Sequence, residues 1–254
     1  IPSRCFAHTS KLKILDLSRN RIRSLQRDSF NNLYSLEILK LDHNHLGSIP
    51  DTMFSNIYGL KSLYLGNNDL VSLGLQNFAA SSNLRTLHFE NNAITEISMD
   101  TFASSSFISL LLYNSLSDIQ PHSIQDSGVT LIDFTNNSIS HIDDAAFFEY
   151  RLLETLKLGN NSLRMLNMTM LVGLHQLKSL ELQNNKLERL TFAPFKEMNE
   201  LQSLNLQNNA IPKLDEDTLA GLERLKYLNI STNRIQDISE KSMQDLRSLM
   251  KLDA

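Results

Sequence analysis

The chain has 254 residues, 41 % of them apolar, with no Trp, one Cys, eight Gly and five Pro, which excludes collagen-like, Pro-rich disordered and disulfide-stapled architectures. A net charge of −4, from 24 basic and 28 acidic residues, gives no global attraction to nucleic acid, so none is expected as a partner. What is unusual is the kind of residue: 46 are Leu and 25 are Asn.

In chain order, the first organised segment is Leu12-x-x-Leu15-x-Leu17-x-x-Asn20-x-Ile22. The spacing returns as Leu36, Leu39, Leu41, Asn44, Leu46, and again as Leu60, Leu63, Leu65, Asn68, Leu70. It continues from Leu84, passes through a distorted copy at Phe107, recovers at Val129, and reopens at Leu153, Leu177, Leu201 and Leu225. Leu249 begins an unfinished eleventh copy. Steps between openings are 24 residues, except for 23 and 22 on either side of Phe107. Such a period predicts a solenoid, in which each copy is one coil of chain.

Leu-x-Leu has a period of two, so both leucines point to one side of a short strand. A lone strand of this kind buries nothing, but identical neighbours stacked beside it make a parallel sheet over a continuous core. In the first copy Leu12, Leu15, Leu17, Ile22, Leu25, Phe30 and Leu33 face inward. The asparagines Asn20, Asn44, Asn68, Asn92, Asn114, Asn137, Asn161, Asn185, Asn209 and Asn233 stand where the chain leaves each strand. A carboxamide both donates and accepts, so this column is read as a structural ladder serving backbone groups that the turn leaves unpaired. The looser back half of each copy is expected to form loops or short helical turns. Strands pack more closely than those backs, so the sheet should line the concave side of a horseshoe. The expected fold is an α/β solenoid with a concave parallel β-sheet and convex loops or short helical turns.

Ten residues beyond each ladder asparagine stands a second signature: Phe30, Phe54, Phe78, Phe102, Ile124, Phe147, Leu171, Phe195, Leu219 and Met243. Together these residues resemble the leucine-rich repeat family, in the 24-residue class found in ectodomains of Toll-type receptors and Slit-like proteins. The resemblance runs over residues 1–254 and implies a single array of about ten repeats. Ile1-Pro2-Ser3-Arg4-Cys5-Phe6 aligns with Ile49-Pro50-Asp51-Thr52-Met53-Phe54, so the chain begins within a repeat and ends within another. Neither of the cysteine-rich caps usual in extracellular members is present, and the expectation is an uncapped segment of a longer ectodomain. Cys5 occupies a repeat position shared with Ser29 and Met53.

Enzyme signatures are absent: there is no G-x-S-x-G, H-E-x-x-H, G-x-G-x-x-G or P-loop. No catalytic residue, cofactor or metal is expected. Asp42-His43-Asn44-His45 has Asn44 turned inward and lacks a third ligand nearby, and Asp215-Glu216-Asp217 reads as solvated acids. Function therefore lies in the residues that alternate with the leucines and face outward. Later copies offer Gln, Asn, Ser and Lys there, whereas Tyr64, His88, Glu90, Leu111, Tyr113 and Asp133 bring aromatic, aliphatic and charged groups together. Interface centres favour such anchors, which makes these six the candidate ligand-binding residues. Packing of Tyr and Leu across neighbouring strands is the competing reading.

Asn136, Asn160, Asn167 and Asn229 lie in N-x-Ser/Thr sequons and are candidate glycosylation sites, although chance alone supplies about four in this composition. A glycan at Asn229 would keep the tenth copy out of a strand-face interface. Residues 1–30 carry Arg4, Lys11, Lys13, Arg19, Arg21, Arg23 and Arg27 against Asp16 and Asp28, a basic end able to attract a sulfated glycan. What the resemblance implies is a non-enzymatic recognition module of a cell-surface signalling receptor of the Toll type, acting in innate immunity. It would bind a protein or microbial ligand outside the cell as a homodimer or heterodimer, joined to the membrane by a segment not present here. The alternative is a secreted or matrix adhesion protein without a signalling domain.

Overall fold

The repeat segments at Leu39, Leu63 and Leu87 each form a strand of three residues whose middle side chain is buried, because a period of two sends its neighbours to the other face. The computed structural model describes residues 1–54, 56–73, 78, 83–95, 109–119 and 128–254. They fall into two units, Ile1–Leu116 with His122–Val129, and Ser117–Pro121 with Thr130–Ala254. Phe102, Phe107 and Ile124, which carry the signature through the distorted copy, lie outside the described residues.

In the first unit β1 (Ile14–Asp16), β2 (Ile38–Lys40), β3 (Ser62–Tyr64), β4 (Thr86–His88) and β5 (Ser109–Leu111) pair in chain order, all parallel. The register sets Leu15, Leu39, Leu63 and Leu87 side by side, one full repeat apart. Behind them Phe30 and Phe54 are buried, and Phe54 stacks on Phe78 with ring centroids 5.8 Å apart. Leu12, Leu17 and Ile22 of the first copy are half-buried, whereas Leu36, Leu41 and Leu46 of the second are fully enclosed.

The second unit contains β6 (Asp118–Ile119), β7 (Leu131–Asp133), β8 (His141–Ile142), β9 (Thr155–Lys157), β10 (Met165–Asn167) and β11 (Ser179–Glu181). It continues with β12 (Arg189–Thr191), β13 (Ser203–Asn205), β14 (Lys213–Leu214), β15 (Tyr227–Asn229), β16 (Asp237–Ile238) and β17 (Lys251–Asp253). β7, β9, β11, β13, β15 and β17 form its parallel sheet, with Ile132, Leu156, Leu180, Leu204, Leu228 and Leu252 in one row. Phe147, Leu171, Phe195 and Leu219 line the back of the core, and Met243 is half-buried.

Among the described residues the backs are loops and turns, as expected. Among the described residues the one helical element is a 3-10 turn at Thr169–Leu171. A repeat leaves too few residues behind the strand for a helix to overcome its nucleation cost. Instead the second unit adds short parallel pairs that the sequence reading did not anticipate: β6 with β8, β10 with β12, and β14 with β16. Their apolar members align as Ile119 with Ile142, Leu166 with Leu190, and Leu214 with Ile238.

Candidate functional site

The strand face is held in place by the asparagines at the strand exits, and they do more than close their own turns. Asn185 Nδ2 donates to the carbonyl oxygens of Leu158 at 2.9 Å and Leu182 at 3.1 Å, and its Oδ1 accepts from Leu163 N–H at 3.0 Å. Leu158 and Leu163 belong to the preceding repeat, so each carboxamide staples two coils together. Asn44, Asn68, Asn92, Asn161, Asn209 and Asn233 repeat this pattern. Asn114 bonds Phe89 O and Ile94 N–H of the coil before it, and Asn137 closes on Phe134 O. Asn20, the first, is exposed and bonds only Leu17 O and Ser18 O of its own turn. Losing such a side chain leaves several buried backbone groups unpaired, at about 1 kcal/mol for each.

A second asparagine column, one residue earlier, escaped the sequence reading. Asn67, Asn91, Asn136, Asn160, Asn184 and Asn208 all have φ between 52° and 58°, the left-handed region that Asn tolerates better than most residues. Their exposed amides hydrogen-bond from coil to coil: Asn208 to Asn184 at 2.8 Å, Asn184 to Asn160 at 2.6 Å, and Asn160 to Asn136 at 2.7 Å. The repeated Asn-Asn doublet was the available signal.

On the strand face of the first unit, parallel register sets Tyr64 beside His88 and His88 beside Leu111. The Tyr64 and His88 rings stack with centroids 4.5 Å apart and planes 13° from parallel. Next to them Glu90 folds flat onto Gly66, where a Cβ would lie 2.6 Å from Glu90 Oε1. Glycine at 66 is what lets the carboxylate lie down. His88 Nδ1 stands 3.6 Å from Glu90 Oε2, and that oxygen is buried without a hydrogen-bond partner. Burial by itself pushes the Glu90 carboxyl up, but contact with His88, its own backbone N–H and the nearby His88 and His43 charges together hold it below the usual carboxylate range. The result is a half-buried aromatic platform beside an anchored carboxylate. It can accept an aromatic or cationic group on its ring face and a hydrogen-bond donor at its edge.

The remaining candidates are placed differently. Tyr113 is half-buried and its carbonyl accepts from Asn91 N–H at 2.7 Å. Asp133, in the second unit, is 3 % exposed and not an outward anchor. It is drawn down by Thr135 N–H at 3.0 Å and covered by Lys157, whose Nζ lies 3.9 Å away and also reaches Glu181. Gly159 in that unit repeats the Gly66 device with a neutral tenant, Gln183, whose Nε2 would lie 2.7 Å from an added Cβ.

Of the sequons, Asn136 and Asn160 sit in the exposed outer column. Asn167 is half-buried, with its Oδ1 accepting from Met170 N–H and Thr169 Oγ1. Asn229 is 7 % exposed, Ser231 donating to its Oδ1 through N–H and Oγ and Tyr227 OH lying 3.3 Å from its Nδ2. In the basic end Lys13 lies 3.8 Å from Glu37, while Arg19, Arg21 and Arg23 are exposed. Asp215 and Glu216 pair with Lys213 and Lys241, and Cys5 is an exposed free thiol. Among the described residues no cluster of ligating side chains could hold a metal, and no helix is long and apolar enough to cross a membrane.

The leucine rich repeat family model matches residues 10–70, 34–90, 58–112, 110–163, 127–187 and 199–254. No curated protein matches the sequence. Among solved structures, the TLR13–ssRNA13 complex superposes with a TM-score of 0.92 at 24 % identity, over 99 % of this chain and 37 % of that one. The leucine-rich repeat domain of APL1B gives 0.78 at 26 % identity, over 96 % and 69 %. The Toll–Spatzle complex of Drosophila gives 0.76 at 24 % identity, over 93 % and 37 %. This chain thus spans little more than a third of the TLR13 and Toll chains. The expectation of no nucleic-acid partner does not fit the first of these: a chain of this fold is found with RNA, so net charge is no ground for that exclusion.

Proposed function

As the chain belongs to the leucine-rich repeat family, we propose that it is a recognition segment of the ectodomain of a cell-surface receptor of the Toll type, binding a protein ligand through the strand face of its first unit. The observation that carries this reading is the Tyr64–His88 stack beside Glu90 on Gly66. It is the place on the strand face where aromatic area, a buried carboxylate and a glycine-made recess coincide, as in the anchored centre of a protein interface. Likeness in fold to Toll, solved with Spatzle, and to TLR13, solved with RNA, supports a recognition role outside the cell. The residues available for chemistry favour binding over catalysis. His88 faces Glu90 and Tyr64, and among the described residues no serine, threonine or cysteine is hydrogen-bonded to it.

The test is a photo-crosslinking amino acid placed at Thr86 and, separately, at Ser203 in the full-length protein on cells, followed by affinity measurement of the captured ligand. The reading expects capture through Thr86 and about a tenfold or greater loss on Tyr64→Ala, equivalent to about 1.4 kcal/mol. Unchanged affinity for both Tyr64→Ala and Tyr113→Ala removes the cluster from consideration.

A further inference from the structure

One flank of the second unit carries a polar cavity of about 360 Å³ that the strand-face reading does not use. It arises from a gap in a side-chain column. The residue after each ladder asparagine sends its N–H back to the preceding coil: Ser162 to Ile139 O, Lys186 to Leu163 O, Ala210 to Leu187 O and Arg234 to Ile211 O. Neighbouring coils are about 4.8 Å apart, so Lys186 and Arg234 are roughly 10 Å apart. Between them Ala210 contributes one methyl group, and the space opens there.

The charge around this gap is not balanced. Arg164, Lys186 and Arg234 line it with one acid, Glu188, which lies 3.6 Å from Arg164. Among the described residues Lys186 Nζ reaches only the Ser162 hydroxyl, at 3.2 Å, and Arg234 has no acidic partner. Elsewhere in the same unit Lys178, Lys213 and Lys241 each pair with a carboxylate. The floor is amide: Asn208 Nδ2 donates to Asn184, and the next residue in that column is Thr232, which has no amide to return to Asn208 Oδ1. The outer ladder therefore ends in an exposed acceptor at the cavity.

Two cations without acids ask for an anionic group, and adjacent amides that donate and accept suit hydroxyls. We propose that this cavity is a binding site for an anionic saccharide, its sulfate or carboxylate held between Lys186 and Arg234 and its hydroxyls on Asn184 and Asn208. The site is distinct from the basic end at Arg19, Arg21 and Arg23, and it stands whether or not the strand face binds a protein.

The test is titration of the full-length protein with a heparin-derived sulfated tetrasaccharide at physiological salt, with a hexaglutamate peptide as the acidic-peptide arm. Lys186→Ser with Arg234→Ser should weaken tetrasaccharide binding about tenfold or more, while Arg21→Ser with Arg23→Ser stays within about twofold. Ala210→Gln, which fills the gap and keeps every charge, should weaken it about fivefold. All these side chains lie on the surface, and unchanged thermal unfolding confirms that each variant folds. Absence of saturable binding overturns the site, as does equal loss in the two double variants. Full binding by Ala210→Gln also overturns it, since that would mark diffuse surface attraction. Hexaglutamate binding as tightly as the tetrasaccharide, with Asn208→Gly neutral for both, overturns the saccharide assignment.

Discussion

The two strand faces share one frame and differ in what they display. In the first unit, Tyr64 stacks on His88 and Glu90 lies on Gly66. In the second, Gln183 lies on Gly159, Asp133 is buried under Lys157, and Tyr227 donates to Asp253 with Lys251 over its ring. Both rest on rows of aliphatic side chains, nearly all leucine, and on asparagines that staple coil to coil. The comparison teaches that inward residues fix geometry so fully that outward residues are free to differ from one unit to the other.

The comparison is broken most strongly from inside. Leu180→Ala, at a fully buried position, should cost about 2–5 kcal/mol, measured as lost hydrogen-exchange protection in β9, β11 and β13. Asn185→Ala should cost about 2–4 kcal/mol by the same readout, because Leu158 O, Leu182 O and Leu163 N–H lose their partner. If either variant left protection unchanged, the shared frame would not rest on these residues.

A glycine pair sharpens the functional contrast. Gly66→Ala must displace Glu90, and Gly159→Ala must displace Gln183, since each added Cβ falls under 3 Å from the overlying side chain. Both should change stability by less than about 1 kcal/mol, the obstacle being a flexible side chain. Ligand affinity, measured on the captured partner, should fall for Gly66→Ala and hold for Gly159→Ala.

Acid should act on the first face. Glu90 is held below the usual carboxylate range, so its stabilising contact is present at neutral pH and is lost as pH falls through that depressed value. Glu90→Gln should lower stability in the neutral region and so flatten the acid limb of the profile, read by urea unfolding at successive pH values, while the most acidic points stay nearly unchanged. The smallest effect belongs to the outer ladder. Asn184→Gly keeps φ at 58° available and should cost about 0.5 kcal/mol, while Asn184→Ala should cost about 1–2 kcal/mol. Equal costs would mean that the amide bonds, and not the backbone conformation, select asparagine there.

Much of the frame was legible because its signal repeats: Leu15, Leu39, Leu63 and Leu87 occupy adjacent rows, as a period of two within a period of 24 requires. The back was legible only in part. Its loops and turns were expected, but the short β10–β12 pairing depends on backbone approach that side-chain spacing does not encode. Within the site, register alone placed Tyr64 beside His88. What spacing could not reveal was vertical position: Asp133 shares its column with Tyr64 and His88, yet Thr135 N–H and Lys157 draw it under the surface. Gly66 and Gly159 carried a readable cue, a glycine one coil before a long polar residue. The doublets ending at Asn68, Asn92 and Asn161 carried another, since the first member takes the left-handed turn and the second turns inward.

The division of labour between inward and outward residues is tested most directly at two adjacent positions. Leu63 and Tyr64 share one strand, the first fully buried and the second stacked on His88 at the surface. Hydrogen-exchange protection of β2, β3 and β4 and affinity for the captured ligand are measured for Leu63→Ala and Tyr64→Ala side by side. The account predicts that Leu63→Ala loses about 2–5 kcal/mol of local stability, whereas Tyr64→Ala keeps protection within about 1 kcal/mol and loses affinity. Loss of protection with Tyr64→Ala and retention with Leu63→Ala would contradict it.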